Sequence, residues 1–314
     1  MNNQPLVSIL INNYNYAHFL PDSINSALNQ TYSNTEIVVV DDGSIDNSKQ
    51  VIESYGNQIT YIFKKNGGQA SAFNAGFQAS KGEIICFLDA DDTYTPDKII
   101  KIVEFFRQYP NADWLFHQLD DVDVTGKSLE LKRDVGVSEL IFIDLREQIL
   151  KGGNLPKFQA TSALCFKRKL IAKFLPMPEQ LRISADHFLR LASIYMSPGI
   201  LSPDKLATHR IHGANLFEFN SDIEFVYAET NIKTCYYLRQ LFPETKSYTD
   251  IIYAHSVGRL AGKSNFLKVL RIPETKEYIK QYFSFQFGIK AVPRIFYNYF
   301  KAALSSLKPA IKVN

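Results

Sequence analysis

The chain has 314 residues, 46% hydrophobic and 21% charged, a balance that excludes disorder and fibrous repeats and leaves one large or two modest globular domains. A formal net charge of +3 is too small to imply a nucleic-acid partner. Three scattered cysteines without a CxxC pair point away from zinc and redox chemistry, and neither a charged-then-apolar leader nor an apolar run of about 18 residues predicts secretion or a membrane span.

In chain order, "LVSILI" (6–11) reads as a β-branched strand, followed by "AHFLPDSINSALNQ" (17–30), whose Phe19, Leu20, Ile24, Ala27 and Leu28 have helical spacing. "EIVVVD" (36–41) is a second strand, and Asp46 is placed to cap a helix running to Tyr55. "QITYIF" (58–63) is a third. The glycines of "KKNGGQ" turn the chain into a helix over 70–80, and "GEIICFLD" (82–89) is a fourth strand. Continuous apolar strands alternating with ten-residue helices predict a mostly parallel α/β sheet covered on both faces. Thr95-Pro96 predicts a helix start with Pro at the first position, carrying "DKIIKIVEFFRQY". Strands are then expected at "DWLFHQL" and "ATSALCFKR", a helix at "DHFLRLASIY", and mostly helix after about residue 220.

The fourth strand ends in Asp89, Asp91 and Asp92. Carboxylates two apart on an extended chain face the same side, and holding them together is costly without a cation. Mg²⁺ and Mn²⁺ prefer oxygen ligands, and Mg²⁺ completes its shell with water and substrate phosphates. Open parallel sheets bind ligands beyond the carboxyl ends of their strands, where "NNYNY" (12–16) and "DDGSID" (41–46) also lie. An acidic turn capping the next helix is the plainer reading, and the combination of three such loops argues against it.

"VSILINNYNYAHFLPDSINSALNQTYSNTEIVVVDDGSIDNS" followed by "NGGQASAFNAGFQASKGEIICFLDADD" resembles the family 2 glycosyltransferases, closely over about residues 5–110 and more thinly to about 215. The resemblance implies a GT-A, Rossmann-like fold. It implies that Asn12, Tyr14 and Asp41 surround the nucleobase, that Asp89 lies near the ribose or metal, and that Asp91 is the principal protein ligand to Mn²⁺ or Mg²⁺. Asn12 departs from the family, which often has Pro there. Asp42 is expected to brace its own loop, since "DDGS" also reads as an Asx-type turn.

Relatives carry an acidic pair where this chain has Ala185-Asp186, and the second acid is assigned as general base. Asp186 is therefore the expected base, with a helix N-cap as the structural alternative. In "HRIHGAN" (209–215) the resemblance implies a histidine directed to the metal or diphosphate; His212, before Gly213, fits better than His209, and Arg210 is an alternative partner for the phosphates. "KFQATSALCFKR" (157–168) stands in the place of an acceptor loop that holds glycine in relatives.

The implied function is inverting transfer of a sugar, UDP-linked as is commonest in the family, from a nucleotide-diphospho-sugar to a hydroxyl of a glycan or lipid-linked acceptor, in a cytoplasmic setting. Two rivals share the sheet: a sugar-nucleotide nucleotidyltransferase, which would carry a basic glycine-rich loop after the first strand, and a catalytically silent carbohydrate binder. The expected organisation is a glycosyltransferase domain over 1–220, its nucleotide half at 1–110 and acceptor half at 111–220, then a basic helical region at 221–314. From Lys263 onward ten Lys or Arg face two acids, Glu274 and Glu277. Residues 289–307 place apolar side chains at steps of three and four, which suits either an anionic membrane surface on the inner face of the cell membrane or packing on the protein itself.

Overall fold

A computed structural model describes residues 4–131, 136–213, 215, 223–282 and 284–306. Along the chain run β1 (Val7–Asn13), α1 (Leu20–Leu28), β2 (Thr35–Asp41), α2 (Ser48–Glu53), β3 (Thr60–Phe63), α3 (Gln69–Ala79), β4 (Ile84–Asp89) and α4 (Lys98–Gln108). Then come β5 (Trp114–Val122), β6 (Ile141–Ile143), α5 (Arg146–Lys151), β7 (Leu164–Lys167), α6 (Arg168–Ile171), α7 (Ala185–Met196) and β8 (Gly199–Arg210). The remainder is helical: α8 (Ile223–Leu241), α9 (Lys246–Lys263), α10 (Phe266–Leu270), α11 (Pro273–Tyr282) and α12 (Phe285–Ser306).

The chain forms two compact units, Met1–Arg146 with Leu155–Gly213, and Glu147–Asn154 with Ala214–Asn314. In the first, eight strands among the described residues make one sheet in the order β3-β2-β1-β4-β7-β5-β8-β6. The first half is parallel as expected: β1 pairs with β2 and β4, and β2 with β3. The second half is mixed, because β7 runs antiparallel to both β4 and β5, and β6 antiparallel to β8. The central strands are buried on both faces, which is why they read as unbroken apolar runs. On one face Ile9, Ile11, Val39 and Leu88 join the main cluster with α1 and α4. On the other, Phe73 meets Phe87 at 4.7 Å, Phe87 meets Phe166 at 5.9 Å and Phe166 meets Phe116 at 5.7 Å between ring centroids. Each such pair contributes about 0.5–1.5 kcal/mol beyond its burial.

Three local expectations change. The helix after the acids begins at Lys98 with Asp97 at its N-cap, so Pro96 precedes it rather than opening it. The strand expected from residue 160 begins at Leu164, after a 3₁₀ turn over Thr161–Ala163. The twelve-residue β8, not expected from the sequence, pairs with β5 across register shifts around Gln118.

The second unit packs α8, α9 and α12 around Cys235, Tyr253, Leu260 and Tyr278. Tyr253 and Tyr278 stack with centroids 4.0 Å apart, and Arg239 pairs with Asp250 and donates to the Tyr278 hydroxyl. Gly258 and Gly262 let α12 approach α9 closely: a Cβ at either would stand 2.4 Å and 2.3 Å from the carbonyl oxygens of Ile295 and Tyr299.

Candidate active site

The in-register ends of the parallel strands assemble the first layer. Asn12 lies opposite Asp89 across β1 and β4, and Asn13 opposite Asp41 across β1 and β2. The Asn12 Nδ2 donates to Asp89 Oδ1 at 2.8 Å, and the Asn13 Nδ2 donates to Asp41 Oδ1 at 2.7 Å. Ser44 donates to Asp41 twice, from Oγ at 2.6 Å and from its backbone N–H at 3.1 Å. It is therefore Asp41 that closes the Asx-type turn. Asp42 does not brace its own loop: it accepts from Lys64 Nζ at 2.6 Å and from the Gly67 and Gly68 N–H groups at 2.9 and 2.7 Å, fixing the neighbouring glycine turn. Gly68 sits at φ +87°, against the backbone of Arg182. Tyr14 is exposed beside these loops.

The acid cluster forms the second layer. Burial raises the Asp89 carboxyl well above its ordinary range, and the fields of Asp91, Asp92 and Asp186 push the same way against the Asn12 hydrogen bond. Asp92 is 1% exposed; burial and Asp91 raise it to about 7, opposed by His209, Ser162 and the Arg210 N–H. Burial, then the fields of Asp91, Asp89 and Asp92, raises the Tyr16 hydroxyl above its ordinary range. Asp91 Oδ2 lies 3.0 Å from His212 Nε2, and the imidazole is wedged against Tyr16 and Phe19 with centroids 5.4 and 4.8 Å away.

Two residues given no role in the acid cluster by the sequence hold it in place. Ser162 accepts from the Asp89 N–H at 3.1 Å and donates to Asp92 Oδ2 at 2.6 Å. Arg210 donates from its backbone to Asp92 Oδ1 and from Nε to the Asp91 carbonyl, each at 2.9 Å, and from a terminal nitrogen to Asp22 at 2.9 Å. Its guanidinium also lies over the Phe19 ring, 4.9 Å from the centroid. Arg210 is thus a brace for the acids. His209 is bonded to Asp121 at 2.8 Å; burial works against its charged form, but Asp121 and the fields of Asp92 and Asp91 raise it to about 9.

Asp186 lies in the first turn of α7, whose N-cap is Ser184 at φ 52°, so it is not itself the cap. Gln69 sets this start: its backbone N–H donates to the Arg182 carbonyl at 2.9 Å and its Oε1 accepts from the Ala185 N–H at 2.8 Å. Arg190, one turn on, meets Asp186 Oδ2 at 3.0 Å and donates to the Gln159 carbonyl at 2.6 Å. Asp186 is 7% exposed, and Gln69, which accepts from the neighbouring Ala185 N–H, also donates to Thr161 at 3.4 Å, next to the Ser162 that holds Asp89, so hydrogen bonds link the start of α7 to the strand-end acids although 97 residues separate 89 from 186.

The donor set suits a hard divalent cation. A carboxylate and an imidazole converge at Asp91 and His212, mutually repelling acids surround them, and Asn12 Oδ1 is buried without a hydrogen-bond partner. Among the described residues no group of three or more His, Cys, Asp or Glu side chains is arranged to hold a metal ion.

The glycosyl transferase family 2 model matches residues 8–172, the span that carries both layers of acids and Ser162. The chain belongs to glycosyl transferase family 2. It is 42% identical over 216 residues to an uncharacterised glycosyltransferase of Nostoc sp., covering 67% of this chain and 66% of that protein. A shorter match, 44% over 102 residues, relates it to the hyaluronan synthase of Pasteurella multocida, covering 32% of this chain and 10% of the synthase. The chain thus spans about two-thirds or less of the curated relatives it matches. Among solved structures, S. aureus TarS 1-349 in complex with UDP-GlcNAc superposes with a TM-score of 0.68 at 16% identity, over 96% of this chain and 91% of that one. The mannosyltransferase PcManGT of Pyrobaculum calidifontis, in complex with GDP-Man and Mn²⁺, gives 0.52 at 16% identity over 97% and 87%. At those identities the family 2 chain shares the GT-A fold with both, and residue roles do not follow.

Proposed function

We propose that this chain transfers a sugar from a nucleotide diphosphate to a hydroxyl of a glycan or lipid-linked acceptor with inversion, using Asp186 as general base. The observation that carries this reading is the hydrogen-bonded path from the Ala185 N–H through Gln69 to Thr161, next to the Ser162 that holds the Asp89 N–H, because it supports placing the start of α7 beside the strand-end acids. Asn12, Tyr14, Asp41 and Asp89 address the nucleoside, and Asp91 with His212 holds Mn²⁺ or Mg²⁺, which when bound offsets the charge of the departing diphosphate. The acceptor oxygen attacks the anomeric carbon as the bond to the diphosphate breaks. Its proton passes to Asp186, whose Oδ2 is anchored by Arg190 while Oδ1 receives the proton. A UDP-linked donor is favoured by TarS, whose solved complex holds UDP-GlcNAc.

Incubation with UDP-, GDP- and TDP-sugars plus Mn²⁺, with and without acceptor glycans, tests the reading. Acceptor-dependent release of nucleoside diphosphate is expected, abolished by chelation and lowered by about 10²–10⁴-fold in Asp186→Asn. Donor binding survives in Asp186→Asn and is lost in Asp91→Ala. Release of inorganic diphosphate would assign a nucleotidyltransferase instead, and silence with every donor a carbohydrate binder.

A further inference from the structure

The second unit contributes none of the residues assigned to sugar transfer, and its helix α12 carries an unusual surface. The face of α12 turned to α9 is settled by the close approach at Gly258 and Gly262 and by the burial of Phe287, Ala291 and Ala302. Ile295 packs partly against the same cluster. At about 100° per residue, the positions opposite that face are Ile289, Val292, Phe296, Phe300 and Leu304. They are 59%, 43%, 57%, 59% and 62% exposed. The apolar positions that a single amphipathic stripe would send one way are therefore divided between two faces, one packed and one open.

Charge accompanies the open face. The helix sequence, Phe285–Ser306, contains Lys290, Arg294 and Lys301 and no acidic residue. Steps of four and eleven bring these three cations onto one flank of the helix, and all three are exposed. Among the described residues no helix is long and apolar enough to cross a membrane. A helix with bulky apolar side chains on one face and cations along its border lies in the plane of a lipid interface, held by burial into the acyl boundary and by attraction to anionic headgroups. A second copy packed antiparallel through the same face would bring cations against cations, which disfavours that mode of self-association.

We propose that the outer face of α12, centred on Phe296 and Phe300 and bordered by Lys290, Arg294 and Lys301, docks on an anionic lipid surface. This rests on the proposed function only for its purpose, since it gives the lipid-linked acceptor named there a surface at which it would be met. Vesicle binding needs neither donor nor turnover, so this inference can fail while the transferase reading stands, and the reverse.

The test is sedimentation of the full chain with vesicles of phosphatidylcholine alone and with about a third phosphatidylglycerol. Binding to the anionic vesicles is expected to exceed binding to the neutral ones by at least about tenfold and to weaken with salt. Phe296→Glu with Phe300→Glu removes it at unchanged helicity, since neither side chain is in the core. Lys290→Gln, Arg294→Gln and Lys301→Gln together remove the preference for anionic lipid. Equal binding to both vesicle types, or binding unchanged in the Phe296→Glu, Phe300→Glu double variant, overturns the proposal. So does a wild-type dimer by light scattering that the double variant converts to monomer, which would assign the face to a second copy.

Discussion

Arg210 donates from Nε to the carbonyl oxygen of Asp91 at 2.9 Å. The same residue reaches Asp92 through its backbone and Asp22 through its fork, tying the strand-end acids to β8 and α1. Arg210→Lys keeps the charge but not the planar fork. We expect it to cost about 2–4 kcal/mol of stability and to weaken Mn²⁺ binding, followed by the metal's magnetic resonance signal, before any assay of transfer. A variant that loses stability with unaltered Mn²⁺ affinity would confine Arg210 to folding.

Ser162 is the second tie. Ser162→Ala strands the Asp89 N–H and one oxygen of Asp92, both of which it now satisfies. A loss of about 1–3 kcal/mol in urea denaturation is expected, together with weaker donor binding by calorimetry. Ser162→Cys, of similar size but a weaker hydrogen-bonding group, should fall between wild type and the alanine variant.

Arg190 acts on the proposed base through a 3.0 Å ion pair. Arg190→Gln should lower kcat by about tenfold to a hundredfold while leaving KM for the donor within about twofold, the pattern of a group that orients another in the transition state. A raised donor KM with unchanged kcat would place Arg190 at the donor instead.

His117 supplies a pH dependence away from the acids. It is fully buried, its Nδ1 donates to the Gln118 carbonyl at 2.6 Å, and its Nε2 has no hydrogen-bond partner. Burial, then the positive charge of Lys98, holds it neutral to well below its ordinary range. The unfolded chain takes up this proton near pH 6.5 and the folded chain does not, so the contribution is complete above about pH 6.5 and declines by about 1.4 kcal/mol per unit below it. His117→Gln should therefore be less stable than wild type at pH 7.5, with a deficit that shrinks toward pH 5.5. A deficit constant across that range would refute the assignment.

The parallel half of the sheet was legible because β1, β2 and β4 are buried on both faces, and such strands appear as apolar runs between helices. β8 was not, because Pro203, Asp204 and Lys205 interrupt it where its register against β5 shifts. Thr95-Pro96 misplaced a helix start because Thr95 Oγ1 instead donates to Asp97, the actual N-cap. The positions of Asp41, Asp89 and Asp91 followed from strand ends and family resemblance. The ties from Ser162 and Arg210 did not, since each spans 70 residues or more and a lone serine or arginine carries no local pattern. The role of Asp42 went astray for a related reason: Asx chemistry is local in sequence, but its partners Gly67 and Gly68 belong to another turn.

The glycine pair of α9 has a mechanical consequence for the helix that lies on it. With only hydrogen atoms between Gly258, Gly262 and the carbonyls of Ile295 and Tyr299, α12 cannot roll about its long axis without driving a bulkier side chain into that seam. Phe296 and Phe300 are thereby denied the simplest escape from water, which is to turn inward. Whatever shelters them must come from outside the helix pair.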